Sequence, residues 1–354
     1  MKNKIAIASA FIAASSFSTA EIVVNDFLSF EGFVDMSYSQ TDMEVENNSG
    51  NRDESENSFA IDQVEISWLF DFDPVTAQID LQYEDLPGDT TAVEQAFVTY
   101  HFDNGGAITA GRYASMLGFE AFEPTGLYQY SFAYDIHSLG TSFFGPDTSD
   151  LTILPGYAQG VKYTYETDTT FFGISLQDEA FDDDNDRLGG DGDSSYAFEI
   201  AGSIAMDNGL AFFLGGVFEE ADLGDTYVIN AYTTFETGAW LFAGELNYGE
   251  SESGAFAFGS PDEEVFTALL MANFAYSDQA SVTGRLTYIN DENSTSGADQ
   301  EFTALKYTIA HGYAFTDNLF LVNELSYVDG EIDAGGNARD YESLLFATEL
   351  IFSF

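Results

Sequence analysis

The chain reads as all-β: a transmembrane antiparallel β-barrel of 16 strands, or of 18 if one further hairpin forms inside its longest connection. Three observations lead there. Polar and apolar residues alternate with period two, very short connections take strict turns with mostly longer acidic ones, and no segment beyond the N-terminus shows a helical period or an apolar run able to span a bilayer as a helix.

Residues 1–20 carry Lys2 and Lys4, an apolar run from Ile5, and the small residues Ser18 and Ala20 ahead of Glu21, the layout of a cleaved secretory signal peptide. Residues 21–354 then form one outer-membrane barrel domain. In "TAQIDLQYE", Ala77, Ile79, Leu81 and Tyr83 share one face, while Gln78, Asp80, Gln82 and Glu84 share the other. "SYAFEIAGSIA" sets Tyr196, Phe198, Ile200 and Ile204 against Glu199 and Ser203, and "WLFAGELNYGE" sets Trp240, Phe242, Leu246 and Tyr248 against Glu245 and Asn247.

Strands are expected near 27–40, 58–71, 76–85, 91–102, 107–113, 156–166, 170–179 and 194–206. Eight more fall near 210–220, 225–236, 239–250, 264–276, 279–290, 302–314, 318–330 and 341–354. The short connections, such as "DNGG" at 103–106 and "DNG" at 207–209, are hairpin turn signals. The others, such as "TDMEVENNSGNRDESEN" and "GEIDAGGNARD", read as outside loops. In the last strand Leu344, Phe346, Leu350, Phe352 and Phe354 oppose Glu349 and Ser353, and the terminal Phe354 looks like the signal by which the barrel assembly machinery recognises its clients.

Sixteen strands enclose an aqueous channel rather than a side-chain core. The aromatic excess then faces lipid, with Tyr38, Tyr83, Tyr100, Tyr163, Tyr248 and Tyr288 as candidates for the interfacial girdles. The polar face supplies the lumen: Asp80, Glu84, Glu199, Glu245 and Glu349, together with Lys162, Arg285 and Lys306. A Lys or Arg turned toward mid-bilayer lipid would cost about 2–4 kcal/mol. Carboxylates dominate this face, which favours cations.

The connection at about 114–155 is far longer than the others and carries Pro124, Pro146 and Pro155. "AGRYASMLGFE", then "YSFAYDI", then "LPGYAQGVKYTY", resembles the OmpL-like β-barrel porins over about 60 residues, and the "GR" strand end is shared with general trimeric porins. That resemblance implies an outer-membrane porin passing small hydrophilic solutes and cations by diffusion, a homotrimer set in lipid and lipopolysaccharide, and a third outside loop folded into the lumen. Arg112, Glu120, Glu123, Asp135, Tyr128, Tyr130 and Tyr134 are then the candidate constriction. If Ile108 and Ala110 face lipid, alternation points Arg112 outward as well. Either Gly111 carries a bulge that reverses the phase or Arg112 lies at the rim. There it sets up a transverse field or anchors the loop by a salt bridge. Tyr128, Tyr130, Phe132 and Tyr134 alternate, either as an aromatic track for sugar rings or as an extra strand paired with "LGTSFF".

The 61 acidic residues against nine basic ones, a formal net charge of -52, exclude nucleic acid as a partner. No cysteine is available for disulfides or thiolate sites. Asp182, Asp184 and Asp186 suggest a calcium loop, but Arg187 and Gly192 stand where its Gly and Glu belong, so no metal and no cofactor is expected. Only His101, His137 and His311 could act as imidazole bases; His137 has Ser138 beside it, and adjacent residues on an extended chain point apart. The chain is therefore not expected to be an enzyme. An adhesin would want a plug domain or much longer outer loops.

Overall fold

The computed structural model describes residues 21–46, 51–84, 91–139, 150–181, 196–221, 224–260, 262–295 and 298–354. The expected signal peptide, the calcium-like loop and the side chain of Glu84 lie outside them. A short strand, β1 (Ile22–Asn25), precedes β2 (Leu28–Val45), β3 (Arg52–Asp71), β4 (Val75–Glu84), β5 (Thr91–His101) and β6 (Gly106–Ala114). After the long connection come β7 (Tyr157–Glu166), β8 (Thr170–Gln177), β9 (Tyr196–Ala205), β10 (Leu210–Ala221), β11 (Gly224–Thr237) and β12 (Trp240–Ser251). The remainder are β13 (Glu263–Ser277), β14 (Ala280–Thr295), β15 (Ala298–Thr316), β16 (Leu319–Ala334) and β17 (Ala338–Ser353).

From β2 onward each strand pairs antiparallel with the next, and β17 returns to β2 with Ser353 opposite Phe33 and Tyr341 opposite Val45. The sixteen strands β2–β17 thus close a barrel, as lipid requires of any sheet that crosses it. Phe354 completes the seam: the Gly32 N–H donates to its carbonyl at 2.8 Å, and its N–H donates to the Gly32 carbonyl at 2.9 Å. Beyond it β1 folds onto the start of β2, Ile22 opposite Phe30, where β17 has ended.

The two faces follow the alternation. Ile79, Val98, Ile108, Phe198, Leu246, Leu270, Ile309 and Phe346 are exposed on the outer wall, while Asp80, Glu199, Glu245, Lys306 and Glu349 are buried on the inner one. Aromatic pairs gather at both ends of the strands. Trp240 stacks on Phe274 at 4.4 Å and Tyr100 meets Phe102 at 5.1 Å by the short turns; Tyr38 meets Phe59 at 4.7 Å toward the other rim.

Three sequence expectations change. Much of what read as acidic loop is strand: Val45 lies opposite Arg52, and Glu331 opposite Asp340. Once a ladder rises past the lipid both its faces are wet, so the apolar alternation stops while the backbone pairing continues. Within the long connection the alternating aromatics form no strand, and their expected partner "LGTSFF" lies, from 140 on, outside the described residues; β6 pairs directly with β7, so the closed barrel has 16 strands. Finally, Gly111 does not reverse the phase. The register of β6 runs unbroken past it on both sides, and the bulge lies in the neighbouring β5, where Glu94 is the extra residue. Gly111 has a different reason to be glycine: φ is +134°, and a Cβ would meet the Ala96 carbonyl oxygen at 2.2 Å.

Deleting Phe354 removes two seam hydrogen bonds, each contributing about 0.5–1.5 kcal/mol net. Urea unfolding of the refolded barrel should show a loss of about 1–3 kcal/mol.

Candidate functional site

The segment 115–139, between β6 and β7, has little secondary structure beyond one 3-10 turn at Pro124–Gly126. Its backbone polar groups need partners all the same, and inward-facing side chains of the wall supply them. Glu199 on β9 accepts from the Ser115 hydroxyl at 2.7 Å and the Met116 N–H at 2.6 Å. Asn230 on β11 accepts from the Gly118 N–H at 3.1 Å, and Glu245 on β12 from the Phe119 N–H and the Tyr134 hydroxyl, both at 2.8 Å. Glu324 on β16 accepts from the Ser131 N–H and hydroxyl at 3.0 and 2.5 Å.

Cations grip the carbonyls in the same way. Arg285 on β14 donates to Glu120 at 2.5 Å and to the Ser131 and Phe132 carbonyls at 2.8 and 3.1 Å. Lys306 on β15 donates to the Ser131 hydroxyl and to the carbonyls of Phe132 and Asp135, all within 2.8 Å. Lys162 on β7 reaches the Ala114 carbonyl at 3.3 Å, its ammonium 4.3 Å from the centre of the Tyr113 ring. Such charge-assisted bonds are about twice as strong as neutral ones. They go with the absence of a strand there: side chains meet the Ser131 and Phe132 carbonyls and the Ser131 N–H, and backbone bonding among the described residues is limited to Leu151 N–H on the Tyr134 carbonyl and Asp135 N–H on the Phe132 carbonyl.

Apolar packing backs this polar frame. Leu117, Phe119, Ile136, Leu151 and Ile153 are buried in one cluster with Phe213, Tyr232, Val265 and Phe302 of the inner wall. Gly173 and Gly215 make room, since a Cβ there would meet Met116 Sδ at 2.3 Å and Leu117 Cδ2 at 2.4 Å.

The other half of the inner wall is acidic. Asp80 on β4 accepts from Gln78 and Gln95 at 2.7–3.1 Å. Glu65 on β3, Glu94 on β5 and Glu123 in the segment bring carboxylate oxygens within 4.8 Å of one another. Glu123 accepts from Gln63 at 2.8 Å and from the Tyr157 hydroxyl at 3.1 Å. Burial, then the Glu65 and Glu94 carboxylates, push the Glu123 carboxyl well above its ordinary range.

The residues singled out in the sequence thus separate into groups. Arg112 donates from Nε to the Glu94 carbonyl at 3.0 Å and lies 5.9 Å from the Tyr157 ring centre, at the strand end. Glu120 is joined to Arg285, and Asp135 to His137 Nδ1 at 3.2 Å. Tyr134 is 5% exposed with its hydroxyl on Glu245, which leaves no open ring face. Tyr128 packs against the buried cluster and Tyr130 lies 3.4 Å from the Ser37 hydroxyl. Sequence reasoning missed Glu65, Glu94, Asn230, Glu324 and Tyr341, whose hydroxyl donates to the Ile136 carbonyl at 2.8 Å. Glu324 was within reach, being on the polar phase of its strand; Glu94 was hidden by its bulge.

His137 Nε2 lies 2.7 Å from the Ser326 hydroxyl, so Ser326, His137 and Asp135 line up in the order of a hydrolase triad. Ser326 is 1% exposed and packed between wall and segment, so no acyl group can reach it. Burial and Lys306 hold His137 below its ordinary range, and it serves as a further anchor.

A closed sixteen-strand barrel with one-sided strands and a long third connection defines an outer-membrane porin. Residues 28–354 match the model of the family described as "Putative beta-barrel porin-2, OmpL-like", and the chain belongs to that family. Solved structures share the fold. OmpT of Vibrio cholerae is similar with TM-score 0.59 and 13% identity over 94% of this chain and 100% of that one. The outer membrane channel DcaP of Acinetobacter baumannii gives 0.61 and 13%, covering 92% and 97%. An anion-selective porin from Comamonas acidovorans gives 0.60 and 14%, covering 92% and 99%. No curated protein matches.

Replacing Arg285 by Ala strands Glu120 and two carbonyls in a buried setting and should cost about 3–5 kcal/mol in urea unfolding; Arg285→Met with Glu120→Leu should cost less. Glu123 gives a pH signature. A carboxyl whose folded value is raised adds stability that is complete below its unfolded value of 4.5 and is lost as pH rises through the folded one. In chelator, proteolysis of residues 115–139 should therefore accelerate from pH 5 toward neutrality, and Glu123→Gln should flatten the profile.

Proposed function

We propose that the protein is a diffusion pore for small hydrophilic solutes, with a preference for cations, and that the described part of the long connection, 115–139 and 150–155, folds into the lumen and narrows it. One observation carries the sign of the preference. The inward cations Lys162, Arg285 and Lys306 each donate to residues 114–135, and Glu199, Glu245 and Glu324 each accept from them. On the facing wall Asp35, Glu65, Asp80, Glu94 and Glu349 remain, with no comparable set of bases beside them. These carboxylates are 0–6% exposed, so they bias a passing ion through their field and not by contact.

The anion selectivity named for the Comamonas porin does not transfer, because 14% identity carries the fold and not the lining. A homotrimer is the assembly we propose, supported by the trimer form recorded for OmpT. Packing of Tyr134 favours a structural role for the loop aromatics over a sugar track.

In planar bilayers under a KCl gradient, the current should reverse toward the potassium potential. Two unit charges about 4 Å apart interact by about 1 kcal/mol even in bulk water, and the less polar wall screens a buried carboxylate's field less than water does. Asp80→Asn with Glu349→Gln should therefore lower the potassium-to-chloride permeability ratio about fivefold or more. Reversal toward the chloride potential, or a silent barrel, would sink this reading.

A further inference from the structure

Among the described residues a few inward carboxylates are left short of N–H or O–H donors, Asp35 Oδ1 on β2 among them. Glu65 Oε2 and Glu94 Oε2 are buried with no hydrogen-bond partner, in residues 6% and 4% exposed. Both belong to the cluster whose third member is Glu123. Anionic oxygens taken out of water without a compensating charge or donor are costly, and here three carboxylates from three separate chain segments converge.

The arrangement holds them in place. The bulge in β5 turns Glu94 inward next to Gln95, and Arg112 ties that bulge down through the Glu94 carbonyl at 3.0 Å. Glu65 keeps its other oxygen on the Ser67 hydroxyl at 2.9 Å. Glu123 is steered by Gln63 and Tyr157. The free oxygens are therefore fixed rather than splayed.

We propose that Glu65, Glu94 and Glu123 form a site for a hard divalent cation of the calcium class, which fastens the loop segment to the β3–β5 wall. Oxygens within 4.8 Å of one another can all lie at the 2.3–2.6 Å that calcium takes from a common point. Calcium also accepts irregular ligand sets completed by water, whereas magnesium demands a near-ideal octahedron. The site differs from the surface acidic loops in being built from buried groups on the inner wall. Cation binding here deepens the pore reading, but the site itself stands without it.

The test uses the full chain refolded in detergent and stripped with chelator. Terbium titration should give saturable emission sensitised by Tyr157, which donates to Glu123, and calcium should displace it. Loss of an outer-shell partner alone weakens metal sites about 10–100-fold. Glu65→Gln with Glu94→Gln, checked for folding by heat-modifiable migration, should weaken the response at least as much. Glu94→Gln alone gives the same comparison if the double variant does not fold. A variant curve that reproduces the wild type overturns the site, as does emission that follows pH and ignores calcium. In bilayers calcium should lower the conductance of the wild type and leave the double variant unchanged. Sensitised emission from a chain that conducts nothing supports the site and defeats the pore reading.

Discussion

Every main-chain N–H and C=O in this protein must be satisfied where water is scarce, and that requirement shapes both the wall and what lies against it. For the wall the answer is closure. β17 returns to β2, and Phe354 supplies the last two bonds of the seam. For the segment after β6 no neighbouring strand is available. Its groups are met instead by Glu199, Asn230, Glu245 and Glu324 as acceptors, and by Arg285 and Lys306 as donors.

This division of labour changes what the inner charges mean. A carboxylate on the polar phase of a strand reads as channel lining, yet several of those in this barrel are buried ends of hydrogen bonds to the segment. Charges engaged in that way fix structure and are screened from a passing ion. The inward carboxylates not engaged with the segment's backbone lie on β2–β5 and β17, where they face few bases. The same scarcity of donors there leaves Glu65 and Glu94 with bare oxygens.

Apolar packing between the segment and the strands is the other departure from a purely polar inner wall. Leu117, Phe119 and Ile136 pack on Phe213, Tyr232 and Val265, so the inner face of β10–β13 alternates between polar anchors and an apolar bed. Removing such surface from water contributes about 25 cal/mol per Å2. The anchors set where the segment lies, and the apolar bed holds it there.

The alternation with period two, the turn residues and the order of short and long connections were enough to give sixteen strands and their alternating faces, because these are properties of adjacent residues; that Phe354 bonds Gly32 across the seam was not among them. The inward phase of Lys162, Arg285 and Lys306 was legible for the same reason. Partners were not. That Arg285 meets Glu120, that Lys306 meets Ser131, or that His137 meets Ser326 depends on residues more than 150 positions apart. The inward turn of Glu94 was not legible either, because a bulge belongs to the pairing of two strands and leaves no trace in one. Sequence determined which face each side chain could take; the tertiary structure decided which charges are spent and which remain, since only folding brings the long segment against the wall.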